Sequence, residues 1–302
     1  MLPLTVSGPA AYLNGQFIPT ADCRLPISDT GIVFGAAVAD LARTFNGQLY
    51  RLEDHARRFF ASAEAAHLVP PHSLEEICTL ARALVTHNYQ REQTLVMYLT
   101  GGANPVYAGT TGLPAEPKPT FVMHTFPTPV HLWRNFFLTG GQCITPAMRH
   151  SQCLPAQIKH RNRLHMWIGE REVKQVDPAA VPLYLDVHDH IAETGVSNFV
   201  IYRNGTVFSP RRANILWGVS LTVLTEILAE MQISFAEADL TVATVHAAEE
   251  AWLPMTTCCL APVTKLNGQL IGTGQPGLMW RRILDRWSQL TGKDVYREVT
   301  TA

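Results

Sequence analysis

Four Asn-Gly pairs constrain this 302-residue chain more than any other feature, at Asn14-Gly15, Asn46-Gly47, Asn204-Gly205 and Asn267-Gly268. An Asn-Gly centre tolerates the positive φ that a two-residue hairpin turn needs, and each pair is flanked by residues that suit strands. Each is therefore expected to join two antiparallel strands. The clearest cases are Thr44-Phe45 with Leu49-Tyr50, and Val200-Ile201-Tyr202 with Thr206-Val207-Phe208. Two hairpins fall in each half of the chain, whose length suits two domains.

Helices are expected between the strands. Ser73 and Glu76 fit a capping box ahead of Leu74, Ile77, Ala81, Leu84 and Val85, which recur at helical spacing. Leu221, Leu224, Leu228 and Met231 predict a buried stripe on a helix that follows Gly218-Val219-Ser220, and Met279 to Leu290 predicts another. Pro114, Pro117, Pro119, Pro127 and Pro129 crowd one stretch, although Thr120 to Thr125 within it suits a strand. Proline fixes φ and lacks a donor, so residues 125–135 are expected to link a domain over 1–124 to one over 136–302.

With 47% apolar and 16% charged residues the composition is that of an ordinary globular protein, and a formal charge of -1 gives no reason to expect nucleic acid or anionic membrane as partner. No apolar run is long enough to span a bilayer, and Met1 to Asn14 has no basic residue ahead of a hydrophobic stretch, so a cytoplasmic location is expected. Six cysteines without a CxxC pair make no disulfide framework, and adjacent Cys258 and Cys259 are expected to be buried on a strand. His188 and His190 near Asp186 and Asp189 lack a third ligand at any recognised spacing, so no metal site is expected. The six tryptophans are assigned to the core or to a dimer face.

Lysine is scarce, and three of the five, Lys118, Lys265 and Lys293, lie in a proline run, beside an Asn-Gly turn and near the end of the sequence. Lys159 sits in Lys159-His160-Arg161-Asn162-Arg163-Leu164. Other separated motifs are Gly35-Ala36-Ala37-Val38, Arg51-Leu52-Glu53-Asp54-His55-Ala56-Arg57-Arg58, Glu193-Thr194-Gly195-Val196-Ser197-Asn198 and Ala261-Pro262-Val263. In this order, and over nearly the whole chain, they resemble the class IV aminotransferases, the fold type IV pyridoxal-phosphate enzymes that include branched-chain and D-amino acid aminotransferases and aminodeoxychorismate lyase.

The resemblance implies an α/β (α+β) fold with a smaller N-terminal α/β domain and a larger C-terminal domain that carries a β-barrel-like sheet and flanking helices. It implies pyridoxal 5'-phosphate as cofactor, joined as a Schiff base to Lys159, which would also move a proton. Glu193 matches the carboxylate that faces the ring nitrogen. Arg58, the backbone N–H groups of Val219 and Ser220, and the hydroxyls of Ser220 and Thr256 match the phosphate donors. Phe34, Arg43 and Thr257 are the expected substrate residues, with Arg43 a candidate partner for a substrate carboxylate.

The sequence departs from the family where substrate is read. Ala39 stands where an aromatic usually precedes the acidic residue, here Asp40; Val106 and Ala108 replace the Arg and His of the D-amino acid enzymes; Phe34 replaces a tyrosine. Leu221 and Met255 stand where an arginine and a glycine are common. The implied activity is a homodimeric, ping-pong transfer of an amino group from an amino acid or amine to a 2-oxo acid, with the loop Asn104 to Gly112 completing a neighbour's pocket. The alternatives are a lyase like aminodeoxychorismate lyase and a cofactor-binding protein without turnover.

Overall fold

Each Asn-Gly pair forms its hairpin. In the computed structural model the asparagines at 14, 46, 204 and 267 have φ of 47°, 51°, 49° and 51°, and the glycines that follow have φ of 99°, 78°, 77° and 80°. Both central residues lie in the left-handed region, whose backbone twist suits the flanking strands. The structure describes residues 5–104, 106–107, 118–150 and 153–302. Most of the loop from Asn104 to Gly112, Ala108 included, lies outside them.

By contacts the chain divides into two compact units, Met1–Thr128 with Ile158–Asn162, and Pro129–Gln157 with Arg163–Ala302. Residues 125–135, the expected linker, include regular elements. A strand continues to Pro127, Val130–Trp133 is a 3-10 helix, and Arg134–Thr139 is an α-helix. Pro127 closes the strand as its last residue, a place where a missing donor costs little.

The first unit holds strands β1 (Ala10–Leu13), β2 (Gln16–Pro19), β3 (Ala37–Phe45), β4 (Gln48–Leu49), β5 (Gln93–Thr100) and β6 (Thr120–Pro127) in the order β2-β1-β6-β5-β3-β4. Register assigns its two faces. Val38, Leu99 and Phe121 lie in one row and, with Met97 and Met123, join the core beneath helices Leu52–Ala65 and Leu74–Asn88. Because side chains alternate along a strand, Ala39, Tyr98 and Val122 form a row on the opposite face, followed by Leu41, Val96 and His124. The Ser73–Glu76 capping box is present at the start of Leu74–Asn88.

Five residues from far along the chain complete this sheet. The Ala39 N–H donates to the Lys159 carbonyl at 3.0 Å, the Arg161 N–H donates to the Ala37 carbonyl at 2.8 Å, and Val38 bridges His160 antiparallel. Lys159 therefore falls with the first unit, although its number places it in the expected second domain. Ile158 is 9% exposed and belongs to the helix-covered core. Alternation then turns Lys159 and Arg161 to the face of Ala39 and Tyr98.

The second unit holds β7 (Gly141–Ile144), β8 (Val181–Leu185), β9 (Ile191–Thr194), β10 (Val200–Arg203), β11 (Thr206–Pro210), β12 (Ser234–Ala238), β13 (Glu250–Met255), β14 (Cys259–Leu266) and β15 (Gln269–Leu270). They form a curled nine-stranded sheet in the order β12-β11-β10-β13-β14-β7-β8-β9, with β15 on β14. Helices Val219–Glu230 and Leu278–Thr291 pack on each other and on its central strands. The predicted stripe is buried at Leu221, Leu224 and Leu228.

Cys258 and Cys259 are buried, but not on one strand. Met255 pairs with Cys259, so Thr256, Thr257 and Cys258 make a three-residue hairpin loop, and Cys259 takes the left-handed conformation at φ 65°. A three-residue hairpin needs one residue in that region, and here a cysteine fills it. Of the tryptophans, Trp133, Trp252, Trp280 and Trp287 are buried, while Trp167 is 62% exposed.

Candidate active site

Lys159 stands beside the edge of β3, its backbone held from two sides. Besides the bond to Ala39, its own N–H donates to the Ser62 hydroxyl at 3.1 Å, on the helix Leu52–Ala65. The side chain is half-buried.

Arg58 lies on the same helix, where it grips a buried acid. Its Nε donates to Asp40 Oδ2 at 2.7 Å and its Nη2 to Asp40 Oδ1 at 2.9 Å. A planar fork on a carboxylate fixes orientation as well as position. His55, one turn earlier, places Nδ1 2.7 Å from Asp40 Oδ1. An ionised carboxylate only accepts, so the His55 proton must sit on Nδ1. Asp40 is 0% exposed. Burial works against its ionisation, but the Arg58 guanidinium and the bond from His55 outweigh it and hold the carboxyl well below the usual range. Burial also lowers the His55 imidazole from its ordinary value, against the pull of Asp40.

In the second unit Glu193, the next-to-last residue of β9, is a buried carboxylate surrounded by donors. Its Oε2 accepts from Asn198 Nδ2 at 3.1 Å, and its Oε1 accepts from the Leu216 N–H at 3.1 Å. His150 Nε2 lies 3.3 Å from Oε1, with both side chains about nine-tenths buried. The strand delivers Glu193 because Thr194 turns the chain sharply. Its hydroxyl takes the N–H groups of Val196 and Ser197 at 3.1 and 2.8 Å.

Asn198 ties this carboxylate to a helix start. Its Nδ2 also donates to the Leu216 carbonyl at 2.8 Å, and its Oδ1 accepts from the Gly218 N–H at 3.1 Å. Gly218 caps the helix Val219–Glu230 without any side-chain hydrogen bond. The first N–H groups, those of Val219 and Ser220 among them, have no partner within a helix and carry the positive end of its dipole. A Cβ on Gly218 would stand 2.3 Å from Asn198 Oδ1. Gly218→Ala should therefore cost about 1–3 kcal/mol of stability, as overpacking does, and dislodge Asn198 from Glu193. Thermal unfolding of the variant measures this; an unchanged midpoint would contradict it.

The three substrate candidates fare differently. Phe34 is 64% exposed at the end of the short helix Thr30–Val33, and Thr257 is half-buried in the β13–β14 loop with Thr256. Arg43 is 1% exposed; its guanidinium stacks 3.9 Å over the Phe45 ring and its Nε donates to the Thr44 carbonyl at 3.0 Å. This packing gives it a structural task within its own strand. Beyond the residues singled out from sequence, Asp40 and His55 join Arg58 in the first unit, and Asn198 and His150 join Glu193 in the second. Of these, His150 follows no motif. Among the described residues no group of three or more His, Cys, Asp or Glu is placed to hold a metal ion.

A protein-family model described as amino-transferase class IV matches residues 37–266. The D-alanine aminotransferase of Staphylococcus epidermidis is 26% identical over 275 residues, covering 90% of this chain and 94% of the relative. A putative branched-chain-amino-acid aminotransferase of Methanocaldococcus jannaschii is 25% identical over 289 residues, covering 93% and 96%. Among solved structures, the branched-chain amino acid aminotransferase of T.th., solved with pyridoxamine 5'-phosphate, superposes with a TM-score of 0.84 at 19% identity, over 97% of this chain and 98% of that one. The 4-amino-4-deoxychorismate lyase from Pseudomonas aeruginosa gives a TM-score of 0.76 at 21% identity, over 92% and 98%. The likeness to these structures is one of fold.

Proposed function

The chain belongs to the class IV amino-transferase family, and from that premise we propose that it moves an amino group from an amino acid or amine to a 2-oxo acid by a ping-pong route, with pyridoxal 5'-phosphate bound at Lys159. The observation that carries the reading is the state of Glu193: a buried carboxylate surrounded by Asn198, the Leu216 N–H and His150. A carboxylate held in this way is suited to keep a pyridine nitrogen protonated. The remaining donors fit the rest of the group. A primary amine at Lys159 suits its aldehyde; the guanidinium of Arg58, the hydroxyls of Ser220 and Thr256, and the N–H groups of Val219 and Ser220 suit its phosphate.

When bound, the cofactor supplies an electron sink for the carbon that bears the amino group. The chain's own residues do the rest. Lys159 Nζ would hold the cofactor through its aldehyde carbon, and as a free amine it is the base that would take the proton from the donor's Cα and, as an ammonium, give it back to the cofactor carbon. Asp40 spends two of its acceptor positions on Arg58, so the guanidinium is already oriented before it meets an anion. Neutral His55 donates to Asp40 Oδ1, the oxygen it shares with Arg58 Nη2. Asn198 keeps Glu193 and the start of the helix at Val219 in register.

We place the protein in a reducing compartment, the cytoplasm, a reading supported by six free cysteines. No helix among the described residues is long and apolar enough to cross a membrane. We also propose a homodimer, supported by apolar side chains left in the open at Ile27, Ile32 and Phe34, which are 83%, 54% and 64% exposed.

Protein purified with added vitamin B6 should absorb visible light, bleach on addition of an amino donor, and recover its colour with a 2-oxo acid. A second reading draws on the Lys159-to-Leu164 motif and the superposition on a lyase. Pyruvate release from aminodeoxychorismate without bleaching would favour it. No spectral change across a broad panel of amines and amino acids would leave a cofactor-binding protein without turnover.

A further inference from the structure

The face of the first unit's sheet that carries Lys159 also carries a cation, Arg161, that forms no ion pair among the described residues. Ala37 and Ala39 take up backbone bonds with Arg161 and Lys159, so across the sheet one row runs Lys159, Ala39, Tyr98, Val122 and the next runs Arg161, Ala37, Thr100, Thr120. In these rows Ala39 and Ala37, which stand between the two long cationic side chains and the strand of Tyr98, carry only methyl groups. Arg161 is half-buried, and among the described residues its guanidinium forms no hydrogen bond and no ion pair.

Burial lowers Arg161 from its ordinary value, opposed by Tyr98 and Asp40. Neither neighbour offsets that cost. Burial, then Asp29, raises the Tyr98 phenol, so it remains an O–H donor. Burial and then Arg161 lower His124, so that ring is neutral and brings no second charge. Asp40 points to the helix-covered face, where Arg58 and His55 occupy it. Asp29 is committed to the Gly31 N–H and to the hydroxyls of Thr100 and Thr120. A guanidinium cannot shed its proton, so one that is partly desolvated and lacks a counter-charge favours any anion that reaches it.

We propose that Arg161 binds the carboxylate shared by the amino acid donor and the 2-oxo acid acceptor, with the Tyr98 hydroxyl as a second donor. Lys159 and Arg161 are two residues apart on an extended segment, which sets their Cα atoms about 6.5 Å apart on one face. That spacing suits a substrate whose reacting carbon and carboxylate are neighbours. This assignment rests on the amino-transfer reading and replaces Arg43, which is enclosed by its own strand.

Calorimetric titration of the cofactor-loaded protein with butanoate and with butanamide tests it. The wild type should prefer the acid, and Arg161→Gln should weaken butanoate binding about 10- to 100-fold, as expected for a lost charge-assisted bond, with butanamide little changed. Arg161→Lys keeps the charge without the fork and should fall between; it also serves as the folded comparison if the glutamine variant is unstable. In turnover, the KM for 2-oxobutanoate should rise by a similar factor with a much smaller change in kcat. Butanoate binding that is unaltered in both variants, or lost together with butanamide binding, would overturn the proposal, as would a wild type with no preference for the acid. Arg161-dependent butanoate binding in a protein that moves no amino group would keep this site and reject the amino-transfer reading.

Discussion

Lys159→Ala should abolish amino transfer, lowering kcat/KM by about 10⁴-fold or more, because one residue both anchors the cofactor and carries the Cα proton. The variant should stay folded. What holds the segment in place is its backbone, through the Lys159 N–H to Ser62 and the carbonyl to Ala39, and alanine keeps both bonds. Borohydride treatment of the coloured wild type should attach the cofactor irreversibly to the peptide that contains Lys159, and the alanine variant should take up no label. Labelling of another lysine, or a variant that retains more than about a tenth of its activity, would remove the assignment.

Asp40→Ala should be the most destabilising single change in the first unit. It removes the one acceptor that serves both Arg58 and His55 and leaves a guanidinium only 15% exposed without its carboxylate. Breaking a buried pair from one side costs about 3–5 kcal/mol. Urea denaturation measures it, and a loss under about 1 kcal/mol would show that the cluster does not support the fold. Asp40→Asn separates charge from shape, since it retains an acceptor for one partner only.

The same cluster predicts an acid limb in the stability profile. Both Asp40 and His55 sit below their ordinary values in the folded state. The unfolded chain therefore binds more protons in the intervening range, and stability rises with pH. Their contribution is complete above the unfolded histidine value of about 6.5 and declines as pH falls below it through the folded value of His55. A second decline begins below the unfolded aspartate value of about 3.9. The Asp40→Ala variant should lose this second decline.

Local signals make much of the fold legible. The hairpins at Asn14, Asn46, Asn204 and Asn267 and the Ser73–Glu76 cap involve residues a few positions apart, and sequence spacing reports such contacts directly. The stripe at Leu221, Leu224 and Leu228 is readable for the same reason. Contacts across long separations are not. The Asp40–Arg58 pair joins a strand to a helix 18 residues on, and His150 meets Glu193 across the second unit's sheet. No periodicity announces either.

Two further differences follow from the same limit. Arg43 looks available in the sequence because its position in the chain says nothing of the Phe45 ring beneath it. Ile158–Asn162 falls by number in the expected second domain, whereas its backbone bonds are to Ala37 and Ala39. Arg161 is visible in the sequence only as one letter in a motif. Register on the sheet, and the commitment of Asp29 and Asp40 to other donors, give it meaning.

The five-residue return of Ile158–Asn162 has a consequence for biosynthesis. A ribosome makes residues 1–128 before residues 158–162, so the nascent first unit emerges with the outer edge of β3 uncovered at Ala37 and Ala39. Until some thirty more residues are translated, that exposed ladder is open to pairing with any passing strand. Recombinant fragments that stop near Thr128 should carry the same defect and come out in inclusion bodies, even though every residue of the six-stranded sheet is encoded in them.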